Sequence, residues 1–398
     1  MLLLCARARL GNDDVERLVE LVAQQLDWDW LLRMAYPHRV VPLVYRHLAA
    51  LSPAVVPEAV RDTLRARYEA HARDNLRHVR DLLHLLDRFA AHRVAAVPYK
   101  GPTVALRCYG DLALRPFRDL DFLVRPDDLA TAHQVLVADG YRPWPPRTPR
   151  QQTAIRTTWH EDAFWRHDDI VELHWALAPR EFPLPLDLDD VWARLEPLPL
   201  GRTPIRTLCA EHLLFVLCTH GAKHCWERLG WICDVAELLR STPGLDLDGG
   251  LERARDLGVH RMVLLAFRLA RDLLDAPLPG TVARRVQGDG AVARLADHVE
   301  SALFRHVPSP PRDRAELSPF HLRARERWRD RLRYCAQVAL TPTPGDWAWL
   351  RLPDALYPLY YLVRPIRLAV KYGARLIRGA WGGAACAMFC LCTSRPVH

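Results

Sequence analysis

The chain has 398 residues, 50% of them apolar, 26% charged and 9% aromatic, the make-up of a globular protein with room for two or three domains and not of a disordered or collagen-like one. No apolar run reaches the roughly 18 residues that a membrane-spanning helix needs, which excludes a polytopic membrane protein. The net charge of +8 points to an anionic partner without naming one.

Helical periodicity opens the chain. Val15, Leu18, Val19, Val22 and Leu26 recur at helix spacing behind the cap candidates Asn12, Asp13 and Asp14; Trp28 to Ala35 continues the theme, Pro37 interrupts it, and Val40 to Leu51 predicts another helix. From about Pro57 to Ala91 a long amphipathic stretch carries Leu76, Val79, Leu82, Leu83, Leu86 and Phe89 as one stripe. The texture changes at Val94, where a short apolar run ends in Lys100-Gly101 and a helix with proline in its first turn follows from Pro102 to Tyr109. Asp119 to Val124 alternates acidic and apolar residues and then turns wholly apolar, which suits a strand whose start faces a site. Pro126 to Asp139 predicts a helix stopped by Gly140, and Arg142 to Gln152 a Pro/Arg loop. Trp159 to Arg166 and Ile170 to Leu177 predict two strands joined by His167-Asp168-Asp169. After a proline-punctuated connection, Pro179 to Pro204, helices are expected at Glu211 to Cys218, Trp226 to Leu239, Leu247 to Leu257 and Arg261 to Leu274.

The expected fold class is therefore α+β. A small mixed-sheet domain, 94–180, is embedded between an N-terminal helical region, 1–93, and a C-terminal helical part made of a helical domain, 181–305, an Arg-rich helix or linker, 306–345, and a basic amphipathic tail, 346–398. Ten cysteines without a CxxC pair fit reduced thiols, and Met1 to Arg7 has no basic stretch before its apolar patch, so the expected location is the cytoplasm. Of 55 basic residues only Lys100, Lys223 and Lys371 are lysines, and two of these fall in the segments that carry chemistry. Serine is absent between Ser52 and Ser241, which excludes a serine nucleophile from the central region.

The densest chemical signal is Lys100-Gly101, then Asp119-x-Asp121, then Glu172-x-His174. Two carboxylates one residue apart on a strand face the same side and chelate hard cations through oxygen, and a third carboxylate on a neighbouring strand completes a two-metal site. Such a site activates an attacking oxygen and stabilises a leaving one, the logic of nucleotidyl transfer. Gly101 lets the chain turn, the helix start near Pro102 offers amides and a positive dipole to a triphosphate, and Lys100 neutralises phosphate charge.

The run from Tyr99-Lys-Gly-Pro-Thr103 through Tyr109-Gly-Asp111, Arg115-Pro116 and Asp119-x-Asp121 to Pro126-Asp-Asp-Leu129 resembles the uncharacterised bacterial nucleotidyltransferase family of the DNA polymerase beta superfamily. Val171-Glu-Leu-His-Trp175 is similar to that family's third-carboxylate strand, and His220-Gly-Ala-Lys223 with Trp226, Leu229, Trp231 and Asp234 to its helical segment. The resemblance implies a nucleotidyltransferase fold that uses Mg²⁺, two ions in all, with Asp119 and Asp121 holding both and Glu172 the ion that activates the nucleophile. It implies a nucleoside triphosphate as substrate and partner, held by Lys100, Gly101, Thr103, Arg115 and Arg118, with Lys223 reaching toward its phosphates and His174 and His220 in support. The acceptor is left unnamed: a hydroxyl or a phosphate that takes the nucleoside monophosphate as pyrophosphate leaves.

Other readings stand beside this one. The same fold without catalysis would make a binding module for a nucleotide, RNA or protein partner. His220 and His224, at i and i+4 with Cys218 and Cys225 close by, make a soft-metal site conceivable. The Arg-rich segment 312–333 is a solvated helix face or a contact to RNA, and the basic stripe 364–378 either lies on an anionic membrane surface, which would place the protein at the membrane periphery, or docks on the protein's own core.

Overall fold

A computed structural model of the chain describes residues 1–182, 184–201, 204–305 and 318–371. The expectations for 312–317, for 372–378 and for the uncharged stretch after them lie outside the described residues.

The amphipathic stretch after Pro57 forms one 34-residue helix, Glu58–Ala91, about 51 Å long at 1.5 Å per residue. It bridges two cores. Val60 and Leu64, near its start, pack with the helices Asn12–Val22, Trp28–Ala35 and Val41–Ala49, while Val79, Leu82, Leu85 and Phe89 lie against the sheet. The first core also takes in the helices Ala210–Lys223, Leu229–Ser241, Leu247–Leu257, His260–Leu274 and Gly290–Leu303. The helices that precede the sheet in sequence therefore share one apolar interior with those that follow it.

The sheet consists of β1 (Ala96–Pro98), β2 (Asp119–Val124), β3 (Arg142–Pro143), β4 (Glu161–Arg166) and β5 (Asp169–His174) in the order β1-β2-β5-β4-β3. Only β2 and β5 run parallel; the other neighbours are antiparallel. Alternation sorts their side chains: Leu120, Phe122 and Val124 of β2 and Val171 and Leu173 of β5 enter the core under the long helix, and the residues between them face the other way.

Two expected loops carry structure. Pro149–Thr158 is a helix because Thr148 and Gln151 form a reciprocal cap, the Thr148 amide donating to Gln151 Oε1 at 3.0 Å, with proline at the first helical position. The proline-punctuated connection holds the helix Leu188–Ala193, started by Asp187, and the ribbon β6 (Glu196–Leu198) with β7 (Ile205–Thr207). Thr207 ties that ribbon to β1 by donating to the Pro98 carbonyl at 2.7 Å.

At the start of the basic stripe, the reading in which it docks on the protein's own core is the one seen: Arg364 and Arg367 converge on the buried Asp346, Arg364 being 1% exposed and 3.5 Å from it, and Arg367 Nε lying 2.5 Å from it. A buried carboxylate needs partners, and among the described residues these arginines pair with it. Within the Arg-rich 323–333 stretch, Arg325 is fully buried between the rings of Phe182 and Tyr334, 4.5 and 4.1 Å away, rather than on a solvated face. Among the described residues no helix is long and apolar enough to cross a membrane.

Candidate active site

Strand register builds the site. Parallel pairing sets Asp121 of β2 opposite Glu172 of β5, and Leu123 opposite His174; antiparallel pairing then sets Glu161 of β4 opposite His174. Asp121, Glu172, His174 and Glu161 thus occupy one face of three adjacent strands. His174 is the hub: its Nε2 lies 3.0 Å from Asp121 and 3.4 Å from Glu172, and its Nδ1 3.5 Å from Glu161. Candidate ligand atoms of Asp121, Glu172 and His174 all fall within 4.8 Å of one another, close enough to share a cation. The two carboxylates fit a hard divalent ion that fills its remaining positions with water and phosphate oxygen, while the imidazole is within hydrogen-bond reach of Asp121. Asp119 belongs to no such group: it pairs with Ile170 in register, and its charge instead opposes the burial that lowers Arg39 to about 10.

Lys100 makes an ion pair with Asp121. Burial alone would push the Asp121 carboxyl up, but Lys100 and the His174 hydrogen bond outweigh it and hold the carboxyl well below the usual range. The same pairing overcomes burial at Lys100 and raises its pKa. Gly101 sits at φ +56°, and a Cβ there would stand 3.2 Å from the Asp119 carbonyl oxygen, so the turn that carries Lys100 onto Asp121 requires glycine. This turn offers few amides: Pro102 has none, and the Thr103 amide donates to the Lys100 carbonyl at 3.2 Å. Thr103, expected to present its hydroxyl to phosphate, is buried and donates that hydroxyl to the Lys100 carbonyl at 3.1 Å.

The remaining expected ligands divide. Arg115 is held in a fork by Asp234, with Nε at 2.7 Å and Nη2 at 2.8 Å, and Tyr109 adds a hydroxyl donor to the same carboxylate at 2.8 Å. Arg115 is thus tied to the helical region, which leaves only Nη1 uncommitted to that pair. Arg118 donates to the Tyr36 hydroxyl at 3.2 Å. Lys223, by contrast, reaches the site: burial, then repulsion from Lys100, lowers it to about 8, while Glu172, Glu181 and Asp121 pull the other way. Its helix is positioned by Gly221, where a Cβ would stand 2.3 Å from the Trp226 ring. His220 and His224 pack on each other and on Trp231, with ring centroids 4.7 to 5.5 Å apart, and burial holds both well below the ordinary histidine range. Neither belongs to a group of three close metal ligands among the described residues.

Beside the acids lies a cavity of about 360 Å³. Glu161 and Glu172 line it from the sheet, Trp159 from just past the helix Pro149–Thr158, Lys223 from the end of the helix Ala210–Lys223, and Gln337 and Thr343 from the C-terminal part. His160 and Glu161, which border both this cavity and the acid cluster, were not singled out in the sequence. The signal for Glu161 was present: counting outward along β4 and β5 from the two-residue turn His167-Asp168 sets Glu161 against His174.

A family model described as uncharacterised nucleotidyltransferase matches residues 24–275, more than half of the chain. The chain belongs to that family. No curated protein matches it. Among solved structures, the solution structure of the antibiotic-resistance factor ANT(2'')-Ia is similar at 10% identity, over 57% of this chain and 99% of that one, with a TM-score of 0.28. The match covers the long helix, the sheet and the helices that carry Lys223 and Asp234, so this nucleotidyltransferase family includes every element of the site except the cavity's C-terminal wall.

Proposed function

We propose that the chain is a Mg²⁺-dependent nucleotidyltransferase that moves a nucleoside monophosphate from a nucleoside triphosphate to an acceptor hydroxyl or phosphate. The observation that carries this reading is the register pairing of Asp121 with Glu172 beside Lys100 at the Gly101 turn. Asp121 and Glu172 are the residues assigned to hold the ion, and His174, donating from Nε2, keeps the Asp121 carboxylate in place. Bound there, Mg²⁺ supplies neutralisation of the triphosphate and activation of the acceptor oxygen. Lys100 and Lys223 supply positive charge to the phosphates. The acceptor oxygen attacks the α-phosphorus, the bond to the bridging oxygen breaks, and pyrophosphate leaves; in this reading Glu172, which lines the cavity, takes the acceptor's proton. A cavity of about 360 Å³ fits one small molecule, so the acceptor is read as small.

One observation favours a second reading. Lys100 sits on Asp121, where a cation would bind, and Asp119 stands outside the group, as in a fold that keeps its binding surface without catalysis. Thermal shift with each of the four nucleoside triphosphates, with and without Mg²⁺, on the parent and on Asp121→Asn tests both. A Mg²⁺-dependent gain that the variant loses, together with pyrophosphate release, supports the enzyme. Stabilisation by nucleotide that ignores both Mg²⁺ and the variant supports the binding module, and no stabilisation at all removes the nucleotide from the account.

A further inference from the structure

His174 faces two groups of acids, and the nucleotide reading uses only one. On its other side, ligand atoms of His160, Glu161 and His174 also fall within 4.8 Å of one another, and all three residues are buried. Glu161 Oε2 lies 3.0 Å from His160 Nε2 and 3.5 Å from His174 Nδ1. A tetrahedral ion with bonds of about 2.05 Å separates its ligand atoms by about 3.3 Å, which is the spacing of these two edges. The tautomer fits as well. With Nε2–H donated to Asp121, Nδ1 carries a lone pair, and that atom is buried with no hydrogen-bond partner while it points at a carboxylate. A metal-bound imidazole ordinarily gives its other N–H to a carboxylate in this way.

The surroundings allow an ion. A chamber of about 20 Å³, room for a single water or ion, is walled by His160, Glu161 and His174 together with Tyr99, Lys100 and Lys223. Lys100 and Lys223 stand among the carboxylates of Asp121, Glu161 and Glu172, so the chamber is lined by charges of both signs. Two imidazoles and one carboxylate are a donor set for a borderline transition ion and a poor one for Mg²⁺, which prefers oxygen throughout.

We propose that His160, Glu161 and His174 form a site for a zinc-type divalent ion, distinct from the Mg²⁺ position at Asp121 and Glu172. His160 and Glu161 also line the cavity of about 360 Å³, so the ion is within reach of whatever occupies it. The proposal does not depend on nucleotide transfer: an inert nucleotidyltransferase fold would bind the ion equally well.

The test strips the full-length protein with chelator, reloads it with Zn²⁺ and measures bound metal by mass spectrometry, then repeats the titration with Co²⁺ and records its visible spectrum. About one equivalent of zinc is expected, with the intense visible bands of low-coordinate Co²⁺. His160→Ala and Glu161→Gln should each weaken zinc binding about ten- to a hundredfold, while His224→Ala, at the rival histidine pair, leaves it unchanged. The parent's Co²⁺ spectrum needs no variant, so a variant that fails to fold does not blunt the result. Less than a tenth of an equivalent of zinc in the reloaded parent overturns the proposal, as does zinc binding in a folded His160→Ala equal to the parent's.

Discussion

Asp121 and Asp234 are both about 2% exposed, and both are paired with a cation from the segment that follows β1, yet their surroundings differ in kind. Asp234 receives two nitrogens of Arg115 in a fork and the Tyr109 hydroxyl, so both its oxygens are engaged by donors of fixed geometry. Asp121 receives a single flexible ammonium and one imidazole, and Glu172 and Glu161 crowd the same imidazole beside a cavity. A buried acid with a matched donor set joins two parts of a fold. Acids gathered around one imidazole are arranged to share a cation, and the cavity beside them gives a substrate access to it.

The sharpest way to break this contrast is at Asp121. Asp121→Asn keeps the shape and removes the charge, so nucleotide turnover should fall on the order of a thousandfold or more while the melting temperature holds within a few degrees. A melting temperature that collapses with turnover intact would reverse the two roles. Asp234→Ala should do the opposite. It leaves the Arg115 guanidinium and the Tyr109 hydroxyl buried without their acceptor, at a cost of about 3–5 kcal/mol in urea unfolding. Turnover of the protein that remains folded, at low temperature, should change little; if it vanishes, Arg115 also serves the phosphates.

Gly101→Ala tests the turn between the two pairs. Its φ of +56° and the Asp119 carbonyl 3.2 Å from the added Cβ predict a loss of about 1–3 kcal/mol and displacement of Lys100. Unfolding midpoints and the Mg²⁺ dependence of nucleotide binding should both move, and a silent substitution would show that the turn tolerates a side chain. The smallest effect is titration at the seam between the helical regions. His38 Nδ1 accepts the Leu229 amide at 3.0 Å, which requires the neutral ring, and burial lowers its pKa from 6.5 to about 4. Between those values the unfolded chain takes up a proton that the folded chain refuses, so stability is complete above about pH 6.5 and falls as the pH drops toward 4, by on the order of 1 kcal/mol per pH unit. His38→Asn, which keeps an acceptor and removes the titration, should flatten that part of the urea-midpoint profile.

Much of this was legible residue by residue. The strand Asp119–Val124 follows from its alternation, the long helix from its apolar stripe, and the Lys100-Gly101 turn from a retained lysine before a glycine. The helix at Pro149 was missed because proline and arginine dominate its composition, although Thr148-Pro-x-Gln151 is a cap signal. His160 and Glu161 were missed because a carboxylate becomes a ligand candidate only once the strand opposite it is known.

By itself the sequence determined the elements and the facing of each side chain, because helix and strand periods are local properties of the backbone. It also placed Asp121, Glu172 and His174 on common strand faces. Only the tertiary structure decided which charges meet: Asp121 rather than Asp119 beside Glu172, Arg115 on an aspartate 119 residues away, and Arg364 and Arg367 on Asp346 rather than on a surface. The physical reason is that a buried charge must find an opposite charge wherever packing puts one, and strand register and helix docking set that distance through contacts far apart along the chain.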